Sequence, residues 1–432
     1  MNCFLADRER ASVFFVFCLA CAISNEELSG RRTRNVGMRL LILLTAACLC
    51  SCPATAQTTS QREGNPQGEN VRSGSSQAPS KPAWPLQFEM RVPFEPTPFP
   101  SGPHVYLMYE LHLTNFMPIP VSLSRIEVLD SESTKPIATF ETAQLETMLQ
   151  PLGGKTLSDP KDRLVIADGQ SAIAFMFVVF DRGSHIPDKL LHRVTTAYAP
   201  EEGALISAHH TDLHVLGPPV EGADWTAEDG PNNDQDNHHR RGVVILDGQP
   251  VDSRRFAIDW KQIKDASSFS GDARDVHSYY AYGKAVLAVA DGRVVTARDG
   301  LPENIPGHGD AFHPAVPISL ETVAGNTITL DLGGGQYAFY MHLQPGSLRV
   351  KIGDRVRRGQ MLASIGASGD AREPHLHFEV TTSPKLLAGE GVPYLLDRFQ
   401  IRSASSGVME VHQRELPLGG SVVTFNQDHG KK

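Results

Sequence analysis

The sequence predicts an all-β protein, with an N-terminal immunoglobulin-like sandwich followed by a second antiparallel β domain of barrel or sandwich type. Period-two alternation of apolar residues between 85 and 217 is the first observation, and short runs cut by turn signals such as Asp168-Gly169 and Asp181-Arg182-Gly183 are the second. The third is that the chain from 238 to 400 is again made of short β-branched and aromatic runs, with few helical stretches. At 432 residues the chain exceeds one typical domain. A formal net charge of -9 and a pI near 6.0 exclude a general nucleic-acid binder, whose footprint would be basic.

Residues 1–56 read as an export-signal region. Ala11 to Ile23 is apolar behind Arg8 and Arg10, and Leu40 to Cys52 is apolar behind Arg31, Arg32, Arg34 and Arg39. The second run has the better layout, ending in the small-x-small sequence Ala54-Thr55-Ala56, and Met38 is an alternative start. Lipoprotein-like processing at Cys48 or Cys52 would instead leave a lipid anchor. Either way the chain is expected to be exported, to a periplasm or cell envelope. All six cysteines lie in the first 52 residues, so the folded part has neither a disulfide framework nor a Cys-zinc site. Residues 57–84 are rich in Gln, Ser, Pro and Gly and read as a linker that cannot bury a core.

The sandwich is expected over 85–217. In His104 to Thr114 the positions 105, 107, 109, 111 and 113 are all apolar and share one face. Further strands are expected at Leu86–Val92, Val121–Leu129, Ile137–Glu141, Leu164–Ala167, Ser171–Phe180, Arg193–Ala197 and Leu205–Leu216. This domain carries no catalytic constellation, and His209, His210 and His214 read as solvated turn residues. Its expected role is positioning, partner binding or covering a site. The acidic, turn-rich stretch 218–237 reads as a connection.

From 238 to 400 the chain carries the chemistry. Gly283 to Val295 reads as a hairpin turning at Asp291-Gly292, and the Gly/Pro-rich loop 298–317 has the length of a functional rim. In Pro374 to Val380, His375 and His377 stand one residue apart and so share a strand face. His342 lies upstream at a strand end, and Asp259 further upstream beside Trp260. Histidines and a carboxylate drawn from separate strands are the donor set of a hydrolytic zinc site with one position left for water. The tail 401–432 ends in a polar, basic stretch.

Asp259, Gly283-x-x-Val286-x-Ala288-x-x-Asp291-Gly292, Gly325-Asn326, Tyr340-Met341-His342-Leu343, Gly353-Asp354-x-Val356-x-x-Gly359-Gln360 and Pro374-His375-Leu376-His377-Phe378 resemble the lysostaphin-type (LytM-like) zinc metalloendopeptidases. The resemblance covers about residues 238 to 385. It implies a LytM-like peptidase domain, Zn2+ as cofactor, and peptidoglycan stem or cross-bridge peptides as substrate. Carried over by position, Asp259 and His377 are metal ligands and His342 and His375 are catalytic. The first position of the family's H-x-x-x-D motif is Arg255 here, read as sharing a strand face with Asp259, and a guanidinium cannot ligate zinc. His239 is the preferred third ligand, His238 is next, and His277 is weaker; His308 and His313 read as loop residues. The altered position also fits a second class, a degenerate LytM-like regulator that activates cell-wall amidases. A zinc peptidase with a protein target is a third reading.

Overall fold

The computed structural model describes residues 85–153, 159–209, 211–402 and 407–425. The export-signal region with Cys48 and Cys52, the 57–84 linker, His210 and the last residues of the tail lie outside these. The described protein is all-β, with one α-helix, Thr142–Met148, that alternation does not announce.

Two five-stranded sheets form the N-terminal sandwich. In the first, His104–Asn115 pairs antiparallel with Ser171–Asp181 over its whole length; in the second, Val121–Asp130 pairs with Lys189–Thr196. Leu107, Tyr109, Leu111 and Leu113 point into the space between the sheets and meet Ala172, Ala174, Met176, Ile126 and Val194. The expected alternation is therefore the packing pattern. The opposite face of His104–Asn115 is not solvated, however. Tyr106 and Met108 join the core of the second sheet system, and Glu110 and His112 are buried with them.

That second system is an eleven-stranded sheet. Gly222–Glu228, Ile258–Gln262, Leu376–Thr381, Gln336–Leu343 and Asn326–Gly333 lie side by side in it, each antiparallel to the next. Trp225, Ile258, Trp260, Tyr340, Leu376 and Phe378 project from one face into a common core. Several expectations change here. The stretch 218–237, read as a connection, contributes the strand Gly222–Glu228, because Trp225 and Ala227 alternate inward between acidic neighbours. Gly283 to Val295 is not a hairpin: Ala285–Leu287 pairs with Met361–Ser364, while Gly292–Arg298 pairs with Asn326–Gly333. Leu205–Leu216 is broken into Pro200–Ser207 and Val215–Leu216, the latter pairing parallel with Leu395–Arg402. Met409–Glu415 and Val422–Phe425 extend the large sheet into the tail.

A buried ion cluster lies between the sandwich strand and the large sheet. Glu110 receives Arg255 Nε at 2.9 Å and Arg255 Nη2 at 2.5 Å, and is also paired with Arg240. Arg255 reaches Glu390 Oε2 at 2.7 Å and the Gly391 carbonyl at 2.9 Å. Burial would raise the Glu110 carboxyl, but Arg255 and Arg240 hold it well below its ordinary value. Asp252 stands beside this cluster with neither carboxyl oxygen hydrogen-bonded among the described residues. Burial first, and Glu110 second, push it up to about 8. A carboxyl raised in the fold takes up a proton on folding, so its contribution to stability is full at low pH and is lost as pH rises towards 8. Asp252→Asn, neutral throughout, is expected to gain melting temperature over the parent at pH 8 and not at pH 4; an equal difference at both pH values contradicts this.

Candidate metal centre

Strand alternation builds the site from the back of the core. Ile258 and Trp260 are core residues, so Asp259 faces the other way; Leu376 and Phe378 are core residues, so His375, His377 and Glu379 face with it. Asp259 and His377 are register partners across Ile258–Gln262 and Leu376–Thr381, and His377 is opposite Met341 on its other side. His342 would alternate towards the core with Tyr340. Its left-handed backbone, φ +62°, interrupts the alternation, so that both Tyr340 and Leu343 remain in the core. For a non-glycine this conformation costs about 1–3 kcal/mol, strain of the kind that gathers at functional sites.

Asp259 is the hub. Its Oδ1 is 2.9 Å from His377 Nδ1 and 3.4 Å from His239 Nε2, and its Oδ2 is 3.4 Å from His375 Nε2 and 4.0 Å from His238 Nε2. His342 closes the group, its ring 4.8 Å from that of His375 and 6.0 Å from that of His377. His239, Asp259, His342, His375 and His377 are all buried, whereas the His238 side chain is half exposed and bonds Asp229 at 3.0 Å.

The outer nitrogen of each ring fixes what the inner one offers. His239 Nδ1 is 3.0 Å from the Asp229 carbonyl, His342 Nδ1 is 2.8 Å from that of Ser368, and His375 Nδ1 is 2.7 Å from that of Glu373. A carbonyl only accepts, so each Nδ1 carries the proton and each Nε2 presents a lone pair to the site. His239 Nε2 has no hydrogen-bond partner among the described residues and faces a carboxylate oxygen. His377 is turned the other way, with Nε2 3.5 Å from Glu379 Oε2 and Nδ1 against Asp259. His239 Nε2 and Asp259 Oδ1, two acceptors 3.4 Å apart, repel unless a proton or a cation lies between them.

The proton affinities follow from this crowding. Burial, and next His238, push the His239 ring well below its ordinary value; burial, then His375 and His377, do the same to His342. Burial also lowers His375. His377 is the exception, where burial is outweighed by Asp259 and Glu379 and the ring rises to about 9. Burial would raise Asp259, yet His375, His239 and His377 hold it well below. His239, His342 and His375, as neutral rings with inward Nε2 lone pairs around the ionised Asp259, form a donor set that suits zinc, which takes imidazole nitrogen and carboxylate oxygen at about 2.0–2.2 Å and would displace the proton that His377 shares with Asp259.

The other expectations sort as follows. Arg255 is not on a strand face with Asp259; it sits in the turn before Ile258–Gln262, and its guanidinium is committed to Glu110 and Glu390. His277 is exposed and bonded to Asp275, outside the group. His308 and His313 lie in the 298–317 loop. That loop is tied to the site, since Asn304 Nδ2 donates to the carbonyls of Gly369 at 2.7 Å and Ala371 at 3.0 Å, next to Ser368. Two supporting carboxylates were missed. Glu379 backs His377, and strand alternation from His375 and His377 reaches it directly. Glu373 receives Lys261 Nζ at 2.8 Å and the Ser268 hydroxyl at 2.7 Å, pinning the turn before His375.

Comparison with known proteins finds relatives of part of this chain. Residues 275–388 match the model of peptidase family M23, a span that includes His342, His375 and His377. The chain is 31% identical over 114 residues to a glycyl-glycine endopeptidase, ALE-1, of Staphylococcus capitis, covering 26% of this chain and 25% of that protein. It is 33% identical over 98 residues to a peptidoglycan DD-endopeptidase, ShyB, of Vibrio cholerae, covering 23% of this chain and 18% of that one. The chain thus spans a quarter or less of the length of these curated relatives. The solved catalytic domain of lysostaphin from Staphylococcus simulans aligns at 20% identity and a TM-score of 0.21, over 39% of this chain and 88% of that one. The chain carries a peptidase family M23 domain, matched over residues 275–388.

Proposed function

We propose that this protein is an exported zinc metalloendopeptidase that hydrolyses peptide bonds in peptidoglycan stem peptides or cross-links. The observation that carries the reading is the His239 Nε2 lone pair, buried with no hydrogen-bond partner among the described residues and aimed at Asp259 beside His377. His239, Asp259 and His377 would hold the ion, giving the three protein ligands of a catalytic zinc site. Zinc bound there supplies a water acidified to a pKa of about 7 and polarises the scissile carbonyl. His342 and His375 keep Nε2 lone pairs beside the reacting position, so one accepts the proton of the attacking water and the pair returns it to the leaving amine. Their fixed Nδ1–H bonds to Ser368 and Glu373 orient both rings before substrate arrives. The relatives named for endopeptidase and peptidoglycan activity support the substrate class.

Arg255 favours the second reading, a degenerate regulator that acts on cell-wall amidases without cutting. Elemental analysis and digestion of purified sacculi separate the two. About one zinc per chain, with muropeptide products that disappear on chelation and return with added Zn2+, is the expected result. Zinc-free protein with intact sacculi sinks the peptidase. Products that are protein fragments instead of muropeptides sink the substrate assignment alone.

A further inference from the structure

The segment His238-His239-Arg240-Arg241 divides its side chains between two bodies. His239 points to Asp259 on the large sheet, while Arg240 points to the sandwich and is itself fully buried. Arg240 Nη2 donates to the carbonyls of Tyr109 at 2.8 Å and Met176 at 3.1 Å, its Nη1 pairs with Glu110, and its guanidinium lies 4.7 Å over the Phe175 ring. Arg241 covers the same ring at 4.2 Å and donates to the carbonyls of Asn233 at 2.9 Å and Thr147 at 3.2 Å. The turn is closed locally by Asn237, which accepts from the Arg240 amide at 2.9 Å, and by the Gly242 amide on the His239 carbonyl at 3.0 Å. Asp259 and His377 need none of this, because their own strands fix them to each other.

We infer that the sandwich is a working part of the metal centre: docked through Arg240, it positions His239 as the third zinc ligand, and Arg240 is a positioning residue for the ion. The inference rests on the peptidase reading above. It gives the N-terminal domain a task for which its lack of catalytic side chains is no obstacle. A guanidinium suits that task because its planar fork spreads donors over separate nitrogens, Nη2 serving two carbonyls and Nη1 the Glu110 carboxylate, whereas an ammonium carries all its donors on one atom.

Zinc affinity of the full chain, measured by competition with a chromophoric chelator, tests it without reference to catalysis. Arg240→Ala is expected to weaken zinc binding by about 10–100-fold, the usual loss when a group orienting a metal-bound histidine is removed. In His239→Ala, the further change Arg240→Ala is expected to add no loss, since the ligand it positions is already gone. A merely structural arginine would weaken both backgrounds alike, and that result overturns the inference. Arg240→Lys keeps the charge beside Glu110 and guards against misfolding; it too is expected to bind zinc more weakly than the parent. Parent-like affinity in both folded Arg240 variants overturns the inference alone, whereas a parent chain that binds no zinc overturns the peptidase reading with it.

Discussion

Replacing His375 with Ala is expected to leave about one zinc per chain and to lower kcat on a soluble cross-link peptide by about 10²–10³-fold, with His342→Ala behaving alike. The reason is the proposed division of roles around Asp259. His375 Nε2 stands 3.4 Å from Asp259 Oδ2, on the opposite carboxylate oxygen from His377 and His239, and its ring neighbours His342. Burial keeps both rings below their ordinary proton affinity, so each begins as a neutral base. Removing one deletes a proton carrier and leaves the proposed ligands in place. Asp259→Ala, by contrast, removes the carboxylate on which four imidazoles converge and is expected to lose the metal with the activity. The measurement is zinc content and kcat on the same preparation. A His375→Ala protein that keeps more than about a tenth of its activity at full occupancy, or that loses its zinc, overturns the assignment of that ring.

The site was readable from the sequence where chemistry and strand period coincide. His375, His377, Asp259 and His342 all sit within a strand or at its end, and the structure brings them together with His239. Arg255 was readable as an anomaly but not as a structural part, because its partner Glu110 is 145 residues away. Glu110 in turn was hidden by the very alternation that revealed its strand. The alternation marks 105, 107, 109, 111 and 113 as one apolar face and assigns nothing to the opposite face, which carries Glu110 and His112. It is buried because a second sheet system lies against it, and in the local sequence only the apolar Tyr106 and Met108 on that face hint at this. Gly222–Glu228 escaped for a similar reason: two inward residues, Trp225 and Ala227, give a strand too short an alternation to stand out from an acidic run.

Arg255→His, which puts a histidine four residues before Asp259, is expected to destabilise the fold. The guanidinium gives Glu110 its Nε and Nη2, the same Nη2 also bonds Glu390, and the side chain is 3% exposed. An imidazole is shorter, has at most two donors and is largely neutral at pH 7, so Glu110 would keep only Arg240 and Glu390 would lose its bond to Arg255. Breaking a buried pair from one side costs about 3–5 kcal/mol, because the remaining charge stays desolvated. Urea unfolding with chelator present reads this directly, free of any gain from metal binding, and a loss of about 3 kcal/mol is the expectation. An Arg255→His chain as stable as its parent would mean that the cluster contributes little and that Arg255 does not hold the sandwich to the sheet.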